Sequence, residues 1–331
     1  MKKIFKLSAL MLTALATFSS CNNEWEDEQY EQYISIKSSP TSQGVTWQYV
    51  RYTETGTVTY NVPITVSGST ANSADRTVRF ALYTDTLSTL NKEKFGDRTE
   101  LYFKQLSEQY YSFPETVVIP KGQSQAVLPV TFTLNGIDMA EKWVLPIMVA
   151  PGSGYEANPR KYYSKIILYP MLFNDFTGNY SGTQLVGYVN GDKNTVINTS
   201  SHRCYAVNDS TVFFYAGNRS DDYVDRRNYK IYFQFTGEQT DKTHYRVNVW
   251  TDCEEMKLNV MGQASYSVQR EMDYNKPYLE HTYITITGIE YEFEDFTTAP
   301  GSPLLYHFSG SMSLQRDKDT RIPDEDQAIQ W

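Results

Sequence analysis

Thr57-Val58-Thr59-Tyr60-Asn61-Val62-Pro63-Ile64-Thr65-Val66 decides the fold class of this chain. Its apolar residues stand at every second position, and a strand with one buried face needs that period, because successive side chains of a strand point to opposite sides. The same alternation returns at residues 32–37, 77–83, 116–119, 125–134 and 143–149, with the turn Pro120-Lys121-Gly122 between two of them. Short strands at this spacing predict an immunoglobulin-like β-sandwich over residues 32–170. A partial helical period in Leu101, Gln105, Leu106 and Tyr110 predicts one helix, from Arg98 to Tyr111, laid against the strands.

Pro151-Gly152-Ser153-Gly154 and Asn158-Pro159-Arg160 break the pattern, and Pro170 closes a last strand at 165–169. A second domain is expected over residues 171–331, opening on the glycines of Phe176-Thr177-Gly178-Asn179-Tyr180-Ser181-Gly182-Thr183. Alternating segments follow at 211–215, 229–235, 245–250, 265–270, 283–287 and 304–314. The whole chain therefore reads as all-β. A closed β-barrel, including the calycin-like kind, and a second sandwich share this pattern in the C-terminal half.

The chain start is of a different kind. Lys2, Lys3 and Lys6 precede an apolar run from Leu7 to Phe18, too short to span a bilayer, and Phe18-Ser19-Ser20-Cys21 follows. This resembles a bacterial lipoprotein signal, which implies cleavage after residue 20, lipidation of Cys21 by a diacylglycerol, and two acyl chains as a membrane anchor. Asn22-Asn23-Glu24-Trp25-Glu26-Asp27-Glu28 then resembles the acidic export signal of Bacteroidota lipoproteins displayed at the cell surface. The expected organisation is a signal at 1–20, a lipidated acidic tether at 21–31 and the two β domains, with the body outside the outer membrane.

Without residues 1–20, which carry three lysines and no acid, the chain has 27 basic and 39 acidic residues, and a surplus of acid excludes phosphate-backbone binding as its trade. Tyrosine is abundant, 27 residues against five Trp, and its ring with a wet hydroxyl suits half-buried strands and polar binding surfaces alike. Cys204 and Cys253 are a candidate disulfide in an oxidising compartment, closing a loop of about fifty residues worth about 4 kcal/mol.

Val117-Val118-Ile119-Pro120-Lys121-Gly122, Val130-Thr131-Phe132 and Trp143-Val144-Leu145-Pro146-Ile147 resemble the Ig-like N-terminal domain of unknown function found in Bacteroidota surface proteins. The ending Arg321-Ile322-Pro323-Asp324-Glu325-Asp326-Gln327-Ala328-Ile329-Gln330-Trp331 resembles a second domain of unknown function that commonly follows it. Together they imply a lipoprotein of a polysaccharide-utilisation locus, and they imply context rather than chemistry.

No catalytic constellation stands out. Glu290, Glu292 and Glu294 share a strand face, which resembles the acidic motif of family-eighteen chitinase-like hydrolases. That motif needs four more strand–helix units after it, and only 37 residues remain. His202, His244, His281 and His307 are scattered, with no metal or nucleophile spacing, and no cofactor or metal is expected. Asp317, Asp319 and Asp324-Glu325-Asp326 lack the glycine and bidentate glutamate of a calcium loop.

A sugar presents an apolar C–H face ringed by hydroxyls, so its site needs flat aromatics beside Asp, Asn or Arg. Two loops offer that mixture: Tyr215, Asn218, Arg219, Asp221, Asp222, Tyr223 and Arg226 in one, and Tyr274 and Tyr278 around Pro277 in the other, with Trp250 nearby. The expected function is non-catalytic binding of a glycan or oligosaccharide at the cell surface, beside an outer-membrane transporter. The rivals are an adhesion or structural lipoprotein partnering that transporter, and an endoglycosidase using Glu292 or Glu294.

Overall fold

The computed structural model describes residues 27–323 except 43 and 55, together with residue 327. The signal, Cys21, most of the acidic tether and all but one residue of the tail from 324 onward lie outside them.

In β3 (Val58–Val66) the alternation becomes a packed face: Val62 and Ile64 are fully buried, while Thr59 and Asn61 face water. It pairs antiparallel with β1 (Tyr33–Ile36) on one side and β8 (Gln125–Phe132) on the other. Pro63 cannot donate to a ladder, and it falls just beyond the last β1 pair, Ile36 with Ile64, where its carbonyl accepts from Lys37 N at 2.9 Å. β10 (Glu156–Ala157) and β6 (Tyr111–Ser112) finish this sheet, in the order β10-β1-β3-β8-β6.

The facing sheet runs β2 (Thr46–Arg51), β11 (Lys165–Phe173), β9 (Lys142–Val149), β4 (Arg76–Leu82) and β7 (Thr116–Ile119), with β5 (Phe103–Gln105) added on β9. Ile34, Val62, Leu128, Leu145, Ile147 and Leu168 from both sheets meet in one core with no exposed surface. Each such side chain contributes about 1.5–3 kcal/mol of burial. This is the sandwich the alternation predicts.

The helix stands elsewhere than expected. α1 spans Asp85–Phe95 and buries Leu87, Asn91 and Phe95, one face at every fourth residue. The Asn91 side chain accepts from Phe103 N at 2.7 Å and donates to Phe103 O at 2.8 Å, so a polar residue serves on the buried face. Residues 98–111, expected as helix, instead form β5, two single turns of 3₁₀ helix at 99–101 and 108–110, and the start of β6. Strand pairing on β9 supplies the backbone bonds there, parallel from Phe103–Lys142 to Gln105–Val144.

From residue 178 the chain forms one sheet that closes on itself. β12 (Gly178–Val189), β14 (Ser201–Ala206), β15 (Thr211–Tyr215), β16 (Lys230–Gln239), β17 (Tyr245–Trp250), β19 (Ser265–Met272), β20 (Leu279–Asp295) and β21 (Leu304–Asp319) pair in turn, all antiparallel. β21 then pairs with β12. β13 (Asp192–Asn198) extends β12 as a hairpin and β18 (Asn259–Val260) adds to β20. The two folds left open by the sequence are thus resolved in favour of an eight-stranded barrel. Closure needs bends: β20 slips register between Ile286 and Ile289, and Gly310, at φ +139°, faces the Gln184 carbonyl so closely that a Cβ would collide with it.

The lumen is full. Phe214, Phe233, Ile286, Phe293 and Phe308 have no exposed surface and fill it with Tyr180, Tyr229, Tyr291 and Cys204. His202 joins them, 5.1 Å from Phe214 ring to ring, its Nε2 without a partner among the described residues. Burial pulls its pKa down to about 4.

On the outer side of β14–β16, Tyr205, Phe213, Tyr215 and Tyr232 are buried too, in the same apolar cluster as Leu106, Ile137, Met139 and Ala140 of the sandwich. Arg226, expected in a ligand loop, crosses this seam with no exposed surface. Its guanidinium donates to the Ala140 carbonyl at 3.0 Å, to Glu100 O at 3.1 Å and to Tyr223 O at 3.1 Å. A planar fork of donors can serve three carbonyls at once, and full burial keeps it out of a ligand's reach.

Two outcomes follow from these placements. Arg226→Met leaves the seam carbonyls without donors, so calorimetry should show a loss of about 3 kcal/mol and the single melting transition should split in two. His202 is neutral when folded down to about pH 4 but takes a proton at its ordinary value of 6.5 when unfolded. The unfolded state binds more protons between those values, so stability should fall as pH drops from 6.5 towards 4, by at most about 1.4 kcal/mol per pH unit. His202→Phe should flatten that slope in urea titrations.

Candidate binding site

The period of two that fills the barrel also builds its outer face. On β14 and β15, Cys204, Val212 and Phe214 point inward, so Arg203, Tyr205, Phe213 and Tyr215 point outward towards the sandwich. Where the two surfaces part, a cleft of about 350 Å³ opens between them. Trp47 of β2, Tyr169 of β11 and Lys142 of β9 line it from the sandwich; Asn179, Ser201, Arg203, Tyr205 and Tyr215 line it from the barrel. The loop after β15 adds Arg219, Ser220, Asp221 and Asp222. This volume is that of a small-ligand site.

The polar groups in the cleft are arranged around rings. Arg203 lies 5.5 Å from the Trp47 ring centroid and 5.2 Å from that of Tyr205, between two aromatic faces. Tyr205 and Tyr215 stand 5.7 Å apart at 52°. The Tyr205 hydroxyl donates to Asp221 Oδ2, which is also 4.0 Å from Arg203 Nη1. Lys142 Nζ sits 3.7 Å from Asp222 Oδ1. Burial draws the Lys142 pKa down, against the pull of Asp221 and Asp222. Burial, helped by the charge of Asp221, holds the Tyr205 and Tyr215 phenols well above their ordinary range, so both keep their protons.

Two donors in this wall have no acceptor among the described residues: the Tyr215 hydroxyl and the Trp47 indole N–H. Tyr215 is 3% exposed, and a buried hydroxyl without a partner costs about 1–3 kcal/mol. A ligand oxygen in the cleft would recover that cost.

The loop that presents Asp221 and Asp222 is held from behind. Gly217 turns the chain at φ +66°. Arg219 Nη2 then bonds Asp225 at 3.1 Å and Asp295 at 2.9 Å, with its guanidinium 3.6 Å over the Tyr229 ring. Asp295 accepts from Tyr229, Thr297 and Thr298 as well. Burial works against its charge, yet the Thr298 bonds and Arg219 keep its pKa below the usual carboxylate range.

The sequence-predicted residues therefore separate. Tyr215, Arg219, Asp221 and Asp222 line the cleft, with Arg219 spent on internal ion pairs. Asn218 and Tyr223 lie exposed on the same loop, outside the cleft lining. Trp250 is three strands from Tyr205 across the barrel wall. Tyr274 and Tyr278 are not part of this site. Their loop precedes Leu279 at one end of the 17-residue β20, whereas Asp295, which holds the cleft loop, ends it. Tyr274 is 98% exposed, and Tyr278 is covered by the Arg321 guanidinium at 3.5 Å.

The candidate disulfide is absent: Cys204 is a free thiol in the barrel lumen, and Cys253 is a free, half-buried thiol that donates to Glu255 at 3.5 Å. Glu290, Glu292 and Glu294 point out of the barrel, where His307 Nδ1 lies 3.4 Å from Glu292 and Lys257 Nζ 2.7 Å from Glu294. Among the described residues, no three His, Cys, Asp or Glu side chains converge on a point where a metal could sit.

The sandwich side of the cleft, Trp47, Lys142 and Tyr169, lies outside the two loops that composition singles out. The usable signal was Val212-Phe213-Phe214-Tyr215: large rings at consecutive positions require both faces of a strand to be covered, here by a filled lumen and a second module.

A domain of unknown function (DUF4973) matches residues 25–153, and a domain described as "-like, C-terminal" matches residues 164–313. Among curated proteins none matches. A Bacteroides ovatus protein of unknown function with a solved structure is 46% identical, with 90% of this chain and 96% of that one covered at a TM-score of 0.83. A B. ovatus multidomain protein including DUF1735 is 39% identical, covering 91% of this chain and 100% of that one at 0.80. A protein called an auxiliary nutrient binding protein, from Bacteroides thetaiotaomicron, is 39% identical with the same coverage at 0.77.

Proposed function

This chain belongs to one family with the Bacteroides ovatus protein of unknown function to which it is 46% identical over 90% of its length, and we propose that it is a non-catalytic glycan-binding lipoprotein of the cell surface. The cleft between the modules is its binding site. The observation that carries this reading is the pair of unpartnered donors, Tyr215 hydroxyl and Trp47 N–H, in a wall that also holds aromatic faces, Asp221 and Arg203. Aromatic planes suit the C–H face of a pyranose, and neutral phenols, carboxylates and a guanidinium suit its hydroxyls. The relative named for nutrient binding agrees with a ligand of that kind.

A binding role rather than hydrolysis is supported by the chemistry on the two surfaces. In the cleft, Asp221 accepts from the Tyr205 hydroxyl and lies 4.0 Å from Arg203, so its oxygens already have internal partners. The surface placement rests on the Cys21 signal and the acidic segment after it. Many copies held beside a transporter would gain avidity, so weak individual binding suffices.

Affinity electrophoresis of the folded protein in pectic galactan, xyloglucan, mixed-linkage β-glucan and yeast mannan should show retardation by at least one polymer. No retardation in a panel extended to host glycoproteins overturns the reading. Tyr215→Phe removes a hydroxyl with no internal partner, so it should leave the melting temperature level or raised while weakening binding about fivefold. Intact cells should lose the protein to external protease, and Cys21→Ser should release it from the membrane fraction.

A further inference from the structure

The outward rings of the barrel do not stop at the cleft. From Tyr205 the row continues to Phe213 at 5.1 Å, to Tyr232 at 6.0 Å and to Trp250 at 5.3 Å, centroid to centroid across four adjacent strands. The sandwich covers the middle of this row, with Phe213 only 2% exposed. Trp250 emerges on the far side of the seam, 38% exposed.

Trp250 and Tyr232 face each other across the β16–β17 ladder at an interplanar angle of 10°. With one indole face covered by Tyr232, the exposed part is the rest of the ring. Its rim is polar on both sides. Beyond it, Asp252 accepts from the Tyr232 hydroxyl at 2.7 Å and from Lys230 at 3.1 Å while half its side chain stays in water. On the next outward rung, Asn248 donates to Gln234 Oε1 at 3.0 Å, which leaves the Asn248 carbonyl and the Gln234 amide to face outward. The stacking holds the exposed part of the indole in a fixed orientation toward solvent. A flat ring braced by a second ring, with a carboxylate and two amides around it, fits the face and hydroxyls of a pyranose.

We propose that Trp250, with Asn248, Gln234 and Asp252, is a second carbohydrate contact that engages the same glycan chain as the cleft. The inference rests on the cleft binding a glycan. Three strand spacings separate Tyr205 from Trp250, about 14 Å or roughly three linked pyranoses, and a chain joining the two contacts must also pass over the seam. Short oligosaccharides therefore fill the cleft alone, and longer ones reach the Trp250 rung.

Calorimetry with trisaccharides and octasaccharides cut from whichever glycan of the extended panel retards the wild type tests this. Trp250→Ala should lower octasaccharide affinity about tenfold and leave trisaccharide affinity unchanged. The Gln234→Ala, Asn248→Ala double variant keeps the stacked rings and should show the same length-dependent loss, which guards against a fold defect in the first variant. Equal affinity of wild type and both variants at every length overturns the second contact while the cleft reading stands. An equal loss for trisaccharide and octasaccharide also overturns it. If neither the four polymers nor the host glycoproteins retard the wild type, the cleft reading itself has failed and this inference falls with it.

Discussion

β21 hydrogen-bonds to β20 on one side and to β12 on the other, and this double pairing fixes what the rest of the molecule can do. It removes the free edges of a sheet that would otherwise invite pairing with other chains. It also encloses a lumen that the protein's own Phe and Tyr side chains fill, so no ligand can be held inside as wider barrels do. What the barrel offers to its surroundings is its outer wall, and there the chain places a row of aromatic rings. Most of that row is covered by the sandwich; the cleft and the Trp250 rung are what remains open.

The seam is correspondingly more than a hinge between two modules. Side chains of both share one apolar cluster, and Arg226 fastens the loop before β9 to the loop before β16 with bonds to backbone carbonyls. A site built across such a contact has walls that are already ordered, which spares a ligand the entropy of fixing them. Arg219 does the same on a smaller scale by tying the loop of Asp221 and Asp222 to Asp295. These two arginines look like ligand groups in a sequence because nothing in the sequence shows that their donors are already taken.

The strands were legible because their period follows from backbone geometry alone, and β3 and β8 show it residue by residue. Barrel closure was not, since it depends on β12 meeting β21 more than a hundred residues later. The helix was misplaced for a specific reason. Its buried face runs Leu87, Asn91 and Phe95, and the central asparagine breaks the apolar pattern while its side chain replaces a backbone partner for Phe103. In the site, the loop of Asp221 and Asp222 stood out by composition, whereas Trp47 and Tyr169 belong to another module and are brought in only by tertiary packing.

Glu28, near the first described residue, accepts from the backbone N–H and hydroxyl of both Ser69 and Thr70, and from Tyr30 N and Gln32 Nε2. The Ser69 and Thr70 bonds hold its pKa far below the ordinary carboxylate range, so mild acid leaves the grip intact. Mechanically, this clasp precedes β1 in the chain. A pull on the polypeptide ahead of residue 28 meets a many-bonded knot on a surface turn before it can peel β1 from the sheet.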